Sequence, residues 1–376
     1  ARAHYHRLYS FGNGSDGQQP KAGLIDVNGT LYGTTCVGGT EGRGAVFSIS
    51  PTGAEKVLHS FDGLDGDNPW AGLVELHGTL YGTTDLGGTE SGGGGTVFSI
   101  TPSGTEKVLH TFDYYDGLFP VADLVAVKGV LYGTTEEGGS NNEGTVFSIT
   151  PSGTEKVLHS FGGSASSGSP DGAEPVGGLI YVNGLLYGTT ASGGSHYNST
   201  GTGYGTVFSI STSGNEHVLF NFNVSDGGGP GGDLTNVRGT LYGIAGGGAY
   251  GGGVVFSITT GGTEKVLYNF TGGADGGGPA GGVIYRRGFL YGVTVFGGHP
   301  KYQCFIHDYC GTVFSVNTIT GREKILHRFG LGSDGSNPQA RLLDVNGTLY
   351  GTTKNGGLFS DTTSNAGNGT VFALKP

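Results

Sequence analysis

The chain has 376 residues, 81 of them glycine, and a formal net charge of −11. Glycine does not recur every third residue, which excludes a collagen-like fibre, and 35% hydrophobic with 11% aromatic residues is too rich for a disordered chain. No apolar run approaches the ~18 residues of a membrane span, and an acidic balance argues against nucleic acid as a partner.

In chain order, His6-Arg-Leu-Tyr-Ser-Phe11 reads as a strand with no local partner. Leu24-Ile-Asp-Val27 turns through Asn28-Gly29 into Thr30-Leu-Tyr-Gly-Thr-Thr35, and Asn-Gly between alternating apolar residues is a strong hairpin signal. Gly44-Ala-Val-Phe-Ser-Ile49 then turns through Ser50-Pro-Thr-Gly53 into Glu55-Lys-Val-Leu-His-Ser-Phe61. There Val57, His59 and Phe61 alternate with Leu58 and Ser60, so one face is expected against a neighbouring sheet. An Asp-Gly-x-x-Pro loop follows and the pattern restarts.

The pattern occurs seven times. Its tyrosines are Tyr32, Tyr81, Tyr132, Tyr187, Tyr242, Tyr291 and Tyr350, spaced by 49, 51, 55, 55, 49 and 59 residues. Its loop aspartates are Asp16, Asp65, Asp116, Asp171, Asp226, Asp275 and Asp334. Seven four-stranded units predict an all-β, seven-bladed β-propeller with four antiparallel strands per blade, one domain over 1–376. The chain opens on a fourth-strand sequence and closes on a third-strand sequence, Gly369-Thr-Val-Phe-Ala-Leu374. Strand 6–11 is therefore expected to complete the last blade, 342–375, and close the ring without an open edge. An open solenoid would need capping repeats instead.

Leu-Tyr-Gly-Thr-Thr-x-x-Gly-Gly (Leu31 to Gly39, Leu80 to Gly88), Gly-Thr-Val-Phe-Ser-Ile and Asp-Gly-x-x-Pro together resemble the GloVer-type tandem-repeat family of bacterial secreted or surface proteins. The resemblance covers essentially the whole chain. It implies an exported protein and brings no catalytic residues with it. Gly-Ile-Ala at 243–245 and the cysteine-bearing loop of the sixth unit depart from the pattern.

With each first strand innermost, the Asp-Gly-x-x-Pro loops and the Gly-Gly loops share one face, where function is expected. Features present in all seven units read as architecture: the tyrosines as packing between blades, the aspartates as caps of their own turns. Calcium at those aspartates is the alternative, but the motif supplies few of the about six to eight oxygens required. Otherwise no cofactor and no metal site is expected. His59, His110, His159 and His327 give way to Tyr9, Phe220 and Tyr268 in other units, which argues for packing.

Symmetry-breaking residues are the better candidates. The sixth-unit loop carries His299, Lys301, Tyr302, His307, Asp308 and Tyr309, and the strand before it carries Arg286. Between Val283 and Arg328, six Lys/Arg face two Asp/Glu in number. His299, His307, Tyr309 and Arg286 are the catalytic candidates for lyase or hydrolase chemistry on a uronate-bearing polysaccharide. Trp70, Tyr114, Tyr115, His196, Tyr197, Tyr204, Lys301, Tyr302 and Asp308 are candidates for glycan contact. Glu136, Glu137 and Glu174 are acidic candidates without a diagnostic spacing.

Cys304 and Cys310 are expected to form a disulfide closing a short loop, and Cys36 reads as small and half-buried. Sequons at Asn13, Asn28, Asn198, Asn223, Asn269, Asn346 and Asn368 permit glycosylation. The start at Ala1 suits a processed, extracellular form. Three roles are therefore expected in order: glycan binding on the loop-rich face, polysaccharide cleavage, and structural self-assembly.

Overall fold

A computed structural model describes residues 3–88, 93–163, 171–198, 201–298, 310–330, 333–359 and 367–376. It contains seven four-stranded antiparallel sheets. Blade one is Ile25–Val27, Thr30–Thr35, Ala45–Ile49 and Glu55–Ser60. Blades two to six cover 74–111, 125–160, 180–221, 235–269 and 277–328. Blade seven takes three strands from the end of the chain, Leu343–Val345, Thr348–Thr353 and Thr370–Lys375, and its outer strand, His4–Ser10, from the beginning. The pairing runs from His4 opposite Lys375 to Ser10 opposite Thr370. The closing strand thus begins two residues earlier than the sequence suggested. No helix among the described residues is long and apolar enough to cross a membrane.

The short first strands meet one another around the axis, so they are innermost. Each is joined to the second strand by a two-residue turn with both residues at positive φ: Asn28 and Gly29 at 54° and 82°, Arg238 and Gly239 at 52° and 86°. That is the type I′ geometry whose twist suits a hairpin. His77, Lys128, Arg238 and Arg287 occupy the place that Asn holds in blades one, four and seven. Asn adopts this left-handed conformation more readily than a longer side chain. Arg238→Asn should therefore stabilise the protein by about 0.5 kcal/mol, and a lower melting midpoint on calorimetry would contradict the account.

The core is a ring of seams rather than a single centre. The phenylalanine ending each outer strand meets, edge to face, the third-strand phenylalanine of the next blade. Phe61 meets Phe98 at 5.1 Å, Phe112 meets Phe147 at 5.0 Å and Phe161 meets Phe208 at 5.2 Å. Phe329–Phe372 and Phe11–Phe47, at 5.2 and 5.0 Å, carry the same contact through the closure. These rings are fully buried, and such pairs add about 0.5–1.5 kcal/mol to their burial. The repeated tyrosines pack in the same seams, as expected.

Two details were not legible. The outer pair of every blade carries a register shift, in blade one between Val46–His59 and Phe47–Val57. The bulge interrupts the two-residue alternation and lets Leu58 join Phe61 against blade two. Secondly, a Cβ on Gly144 (φ 93°) would lie 2.6 Å from Pro175 Cδ of the following blade. The same glycine–proline latch recurs at every seam, ending with Gly369 against Pro20.

Candidate functional site

The mouth of the axial channel on the loop-rich face is a cavity of about 300 Å³. Its wall is the segment after each loop proline, of the form Pro-x-Ala/Gly-x-Leu/Val. The last variable position reaches the axis and holds Gly23, Gly72, Asp123, Gly178, Asp233, Gly282 and Arg341 in blades one to seven. Four of these seven residues, Gly23, Asp123, Asp233 and Arg341, line the cavity, and Lys21, Trp70 and Glu136 join them.

Each charge is held. Asp123 Oδ1 accepts from the Gly72 amide of the preceding blade, and Asp233 Oδ1 accepts from the Gly178 amide at 2.8 Å. Glycine at those positions leaves the approach open; a Cβ on Gly178 would lie 2.7 Å from Asp233 Oδ1. Arg341 Nη1 lies 3.6 Å from Asp233 Oδ2, and Nη2 donates to Thr235 Oγ1 at 2.6 Å. The buried Arg341 Nε has no acceptor among the described residues. Burial, with the Asp233 charge beside it, pushes the Asp123 carboxyl up to about 7.

The rim is polarised. Lys21 and Lys354 stand on the side of blades one and seven. Burial lowers the Lys21 pKa, and its ammonium lies 3.3 Å from the centre of the Trp70 ring. Asp85 and Glu136 stand on the side of blades two and three. Burial raises both, Asp85 to about 6 despite Lys21 and a hydrogen bond from Asn68, and Glu136 further through Glu174. A ligand would meet cations on one wall, carboxylates on the other and an aromatic edge between them.

Of the sequence candidates, Trp70 lines this mouth. Tyr114 and Tyr115 are exposed on the loop into blade three but do not line it. His196 and Tyr197 are exposed in blade four, with His196 Nδ1 3.2 Å from Phe222 O. Tyr204 is half-buried and packs against an apolar cluster. Arg286 requires correction. It sits at the hairpin turn of blade six, on the opposite face, with Nε 3.2 Å from Asp344 Oδ2 of blade seven. The strand had been read without its direction: eight residues of the second strand, Phe289–Phe296, separate that turn from the loop of the sixth unit. His299, Lys301, Tyr302, Cys304, His307, Asp308 and Tyr309 lie outside the described residues. Cys310 is buried; Cys36 is buried, not half-buried, and free. Among the sequons, Asn13, Asn28, Asn198 and Asn346 are exposed and Asn223 and Asn269 partly so. Asn368 is buried, out of reach of an enzyme attaching a glycan to the folded chain.

The aspartates of the seven loops do cap their own turns: Asp65 Oδ1 accepts from the Asp62 amide at 2.9 Å, and Asp116 Oδ1 from Asp113 at 2.9 Å. Six of the seven carboxylates also bond an outer-strand side chain, while Asp226 accepts from the Asn223 side chain instead. His59 Nε2 lies 2.7 Å from Asp65, His110 2.9 Å from Asp116, and His159 3.0 Å from Asp171. Tyr9 and Tyr268 donate to Asp16 and Asp275 in the same way. Packing alone was expected of these histidines; they both pack on Phe61 and its equivalents and complete a polar pair.

The next blade adds a glutamate to each such pair. Burial raises Glu106, Glu155 and Glu216 to about 7, and Glu55, Glu264 and Glu323 likewise. A carboxyl raised above its unfolded value stabilises below that value and loses the contribution as pH rises through the folded pKa. His59 and His159 have the same sign. Burial would lower them, but the hydrogen bond and charge of Asp65 and Asp171 raise them. Asp65 has the opposite sign, held down against its burial by bonds from His59 and the Asp62 amide, and matters only in acid. With a chelator present, the melting midpoint should be higher at pH 5.5 than at pH 8. Glu106→Gln/Glu155→Gln/Glu216→Gln should flatten that fall, and a midpoint rising over the interval would refute the assignment.

The sequence comparison decides the family. The Gloeobacter/Verrucomicrobia repeat matches residues 1–202 and again 196–376. The chain belongs to that repeat family. No curated protein matches it in sequence. Solved structures similar to this Gloeobacter/Verrucomicrobia repeat chain include a Bacteroides uniformis protein assigned as a 6-phosphogluconolactonase. It has 16% identity and a TM-score of 0.55, covering 92% of this chain and 98% of that one. A europium-containing methanol dehydrogenase has 11% identity and a TM-score of 0.54, covering 99% and 93%. The quinohemoprotein alcohol dehydrogenase ADHIIG of Pseudomonas putida HK5 has 11% identity and a TM-score of 0.54, covering 98% and 76%. At these identities the likeness is one of fold alone.

Proposed function

We propose that the protein binds a carbohydrate, outside the cell, in the axial mouth of its loop-rich face. The observation that supports this most is the juxtaposition of Asp123, Asp233 and Arg341 at the axis with Trp70 beside them. Paired carboxylates and a guanidinium are matched acceptors and donors for vicinal hydroxyls, and an indole face suits the apolar face of a sugar ring. Lys21 and Lys354 add cations for an acidic sugar. Calorimetric titration against neutral and uronate oligosaccharides tests it. Binding should fall at least tenfold in Arg341→Ala and Asp233→Asn while Tyr115→Ala binds normally; no binding to either class would end the reading.

One observation favours a second reading. Asp123, raised to about 7 beside Asp233, can hold a proton and release it at neutral pH, as a hydrolytic acid must. Release of reducing ends from a bound polysaccharide, abolished in Asp123→Asn even at saturating substrate, would convert the binder into a hydrolase. Binding without release leaves the first reading standing.

A further inference from the structure

We propose that three seams between blades are divalent transition-metal sites, zinc being the ion their donors suit best. They lie between blades one and two (His59, Asp65, Glu106), two and three (His110, Asp116, Glu155), and three and four (His159, Asp171, Glu216). In each, one imidazole nitrogen and two carboxylate oxygens lie within 4.8 Å of one another. The axial mouth plays no part.

Four observations carry it. The His Nε2 to Asp Oδ2 separations, 2.7, 2.9 and 3.0 Å, are those of a hydrogen-bonded pair and need open by only about half an ångström to reach the roughly 3.4 Å edge of a tetrahedral site with bonds of about 2.0–2.2 Å. The third corner is a glutamate whose Oε1 is buried in all three seams with no hydrogen-bond partner among the described residues. Such an oxygen takes a cation where the seam supplies further donors, as these three do, and a proton where it does not. Next, the donors are anchored apart from the ion. Asp65 is fixed by the Asp62 amide and His59 by Phe61, on one blade, while Glu106 opens the outer strand of the next. Finally, the His and Asp side chains of the first seam are each 20% exposed, so an ion has a way in.

One neutral imidazole and two carboxylates carry two negative charges, matching a divalent ion and leaving a fourth position for water. A nitrogen donor and only three protein ligands favour zinc over calcium or magnesium, which take more oxygens. The other seams act as internal controls. Tyr9, Phe220 and Tyr268 stand where the histidine would be, beside Glu55, Glu264 and Glu323, so those seams lack the nitrogen donor. At the seventh, His327 pairs with Asp334, but Tyr5 replaces the glutamate and stacks on the imidazole at 4.0 Å. The stoichiometry is therefore three, neither six nor seven.

The test is equilibrium dialysis of chelator-stripped protein against micromolar free Zn²⁺ at pH 7.5, with metal counted by atomic emission and excess Ca²⁺ as competitor. Three ions per chain are expected, undisturbed by Ca²⁺. Glu106→Gln should bind two. His59→Phe/His110→Phe/His159→Phe, which copies the natural phenylalanine of the blade-four seam, should bind none while keeping the strand signature in circular dichroism. Zn²⁺ should raise the melting midpoint of the parent chain and not that of the triple variant. No bound zinc in the parent, or an equal count in the folded triple variant, overturns the proposal.

Discussion

Removing residues 3–11 should abolish cooperative folding. The lost strand contributes six paired positions along Thr370–Lys375 and the fully buried Phe11. It also takes the Tyr5 contacts with His327 and Phe372 and the edge-to-face contact of Phe11 with Phe47. Burial of one phenylalanine is worth about 1.5–3 kcal/mol, and the remaining contacts bring the loss to about 5 kcal/mol or more, comparable with the whole stability of many domains. It would also bare the edge of Thr370–Lys375 with Val371, Phe372 and Leu374, an aggregation template. The measurement is the melting curve and light scattering of the truncated chain, alone and with a synthetic peptide of residues 3–12 added. Recovery of a monomeric, cooperatively melting species with peptide is expected. A truncated chain that melts like the parent would mean that the closure carries no stability.

Gly133→Ala should cost about 3 kcal/mol. The second-strand glycine has ordinary backbone geometry, so the effect is one of space. A Cβ there would lie 2.6 Å from Phe147 Cζ and 2.7 Å from Leu124 Cδ2. Phe147 cannot retreat, because Phe112 presses its other side at 5.0 Å. The same box surrounds Gly82, Gly188 and Gly351. Chemical denaturation should show the loss, and Phe147→Leu should recover part of it in the double variant. Additive losses would show that the two side chains do not collide.

The repeat carried the architecture because each local signal agreed with the ring: Asn28-Gly29 made the predicted hairpin and Asp65 capped its own turn. The candidate site was less legible for the same reason. Asp123, Asp233 and Arg341 sit inside a segment whose proline marked it as scaffold, three residues beyond Pro120, Pro230 and Pro338. Setting the seven segments one above another exposes them, since four of the seven carry glycine at that position. Arg286 was misplaced because a count of local charge ignores which end of a strand a residue occupies. The glutamate in each histidine–aspartate pair was invisible for another reason. Glu106 is 47 residues from His59, and only the crossing of neighbouring outer strands brings them together.

The outer strand of blade seven imposes an order on assembly. Within the ring, His4–Ser10 is synthesised before every other strand, yet its partner Thr370–Lys375 comes after all of them. Through the synthesis of six complete blades that opening segment has no lateral neighbour, and the nascent sheets can stack only as an unfinished arc. Pairing across some 360 residues of sequence makes the final step slow. A cell making this protein must shield an apolar edge at each end of the arc until the two meet.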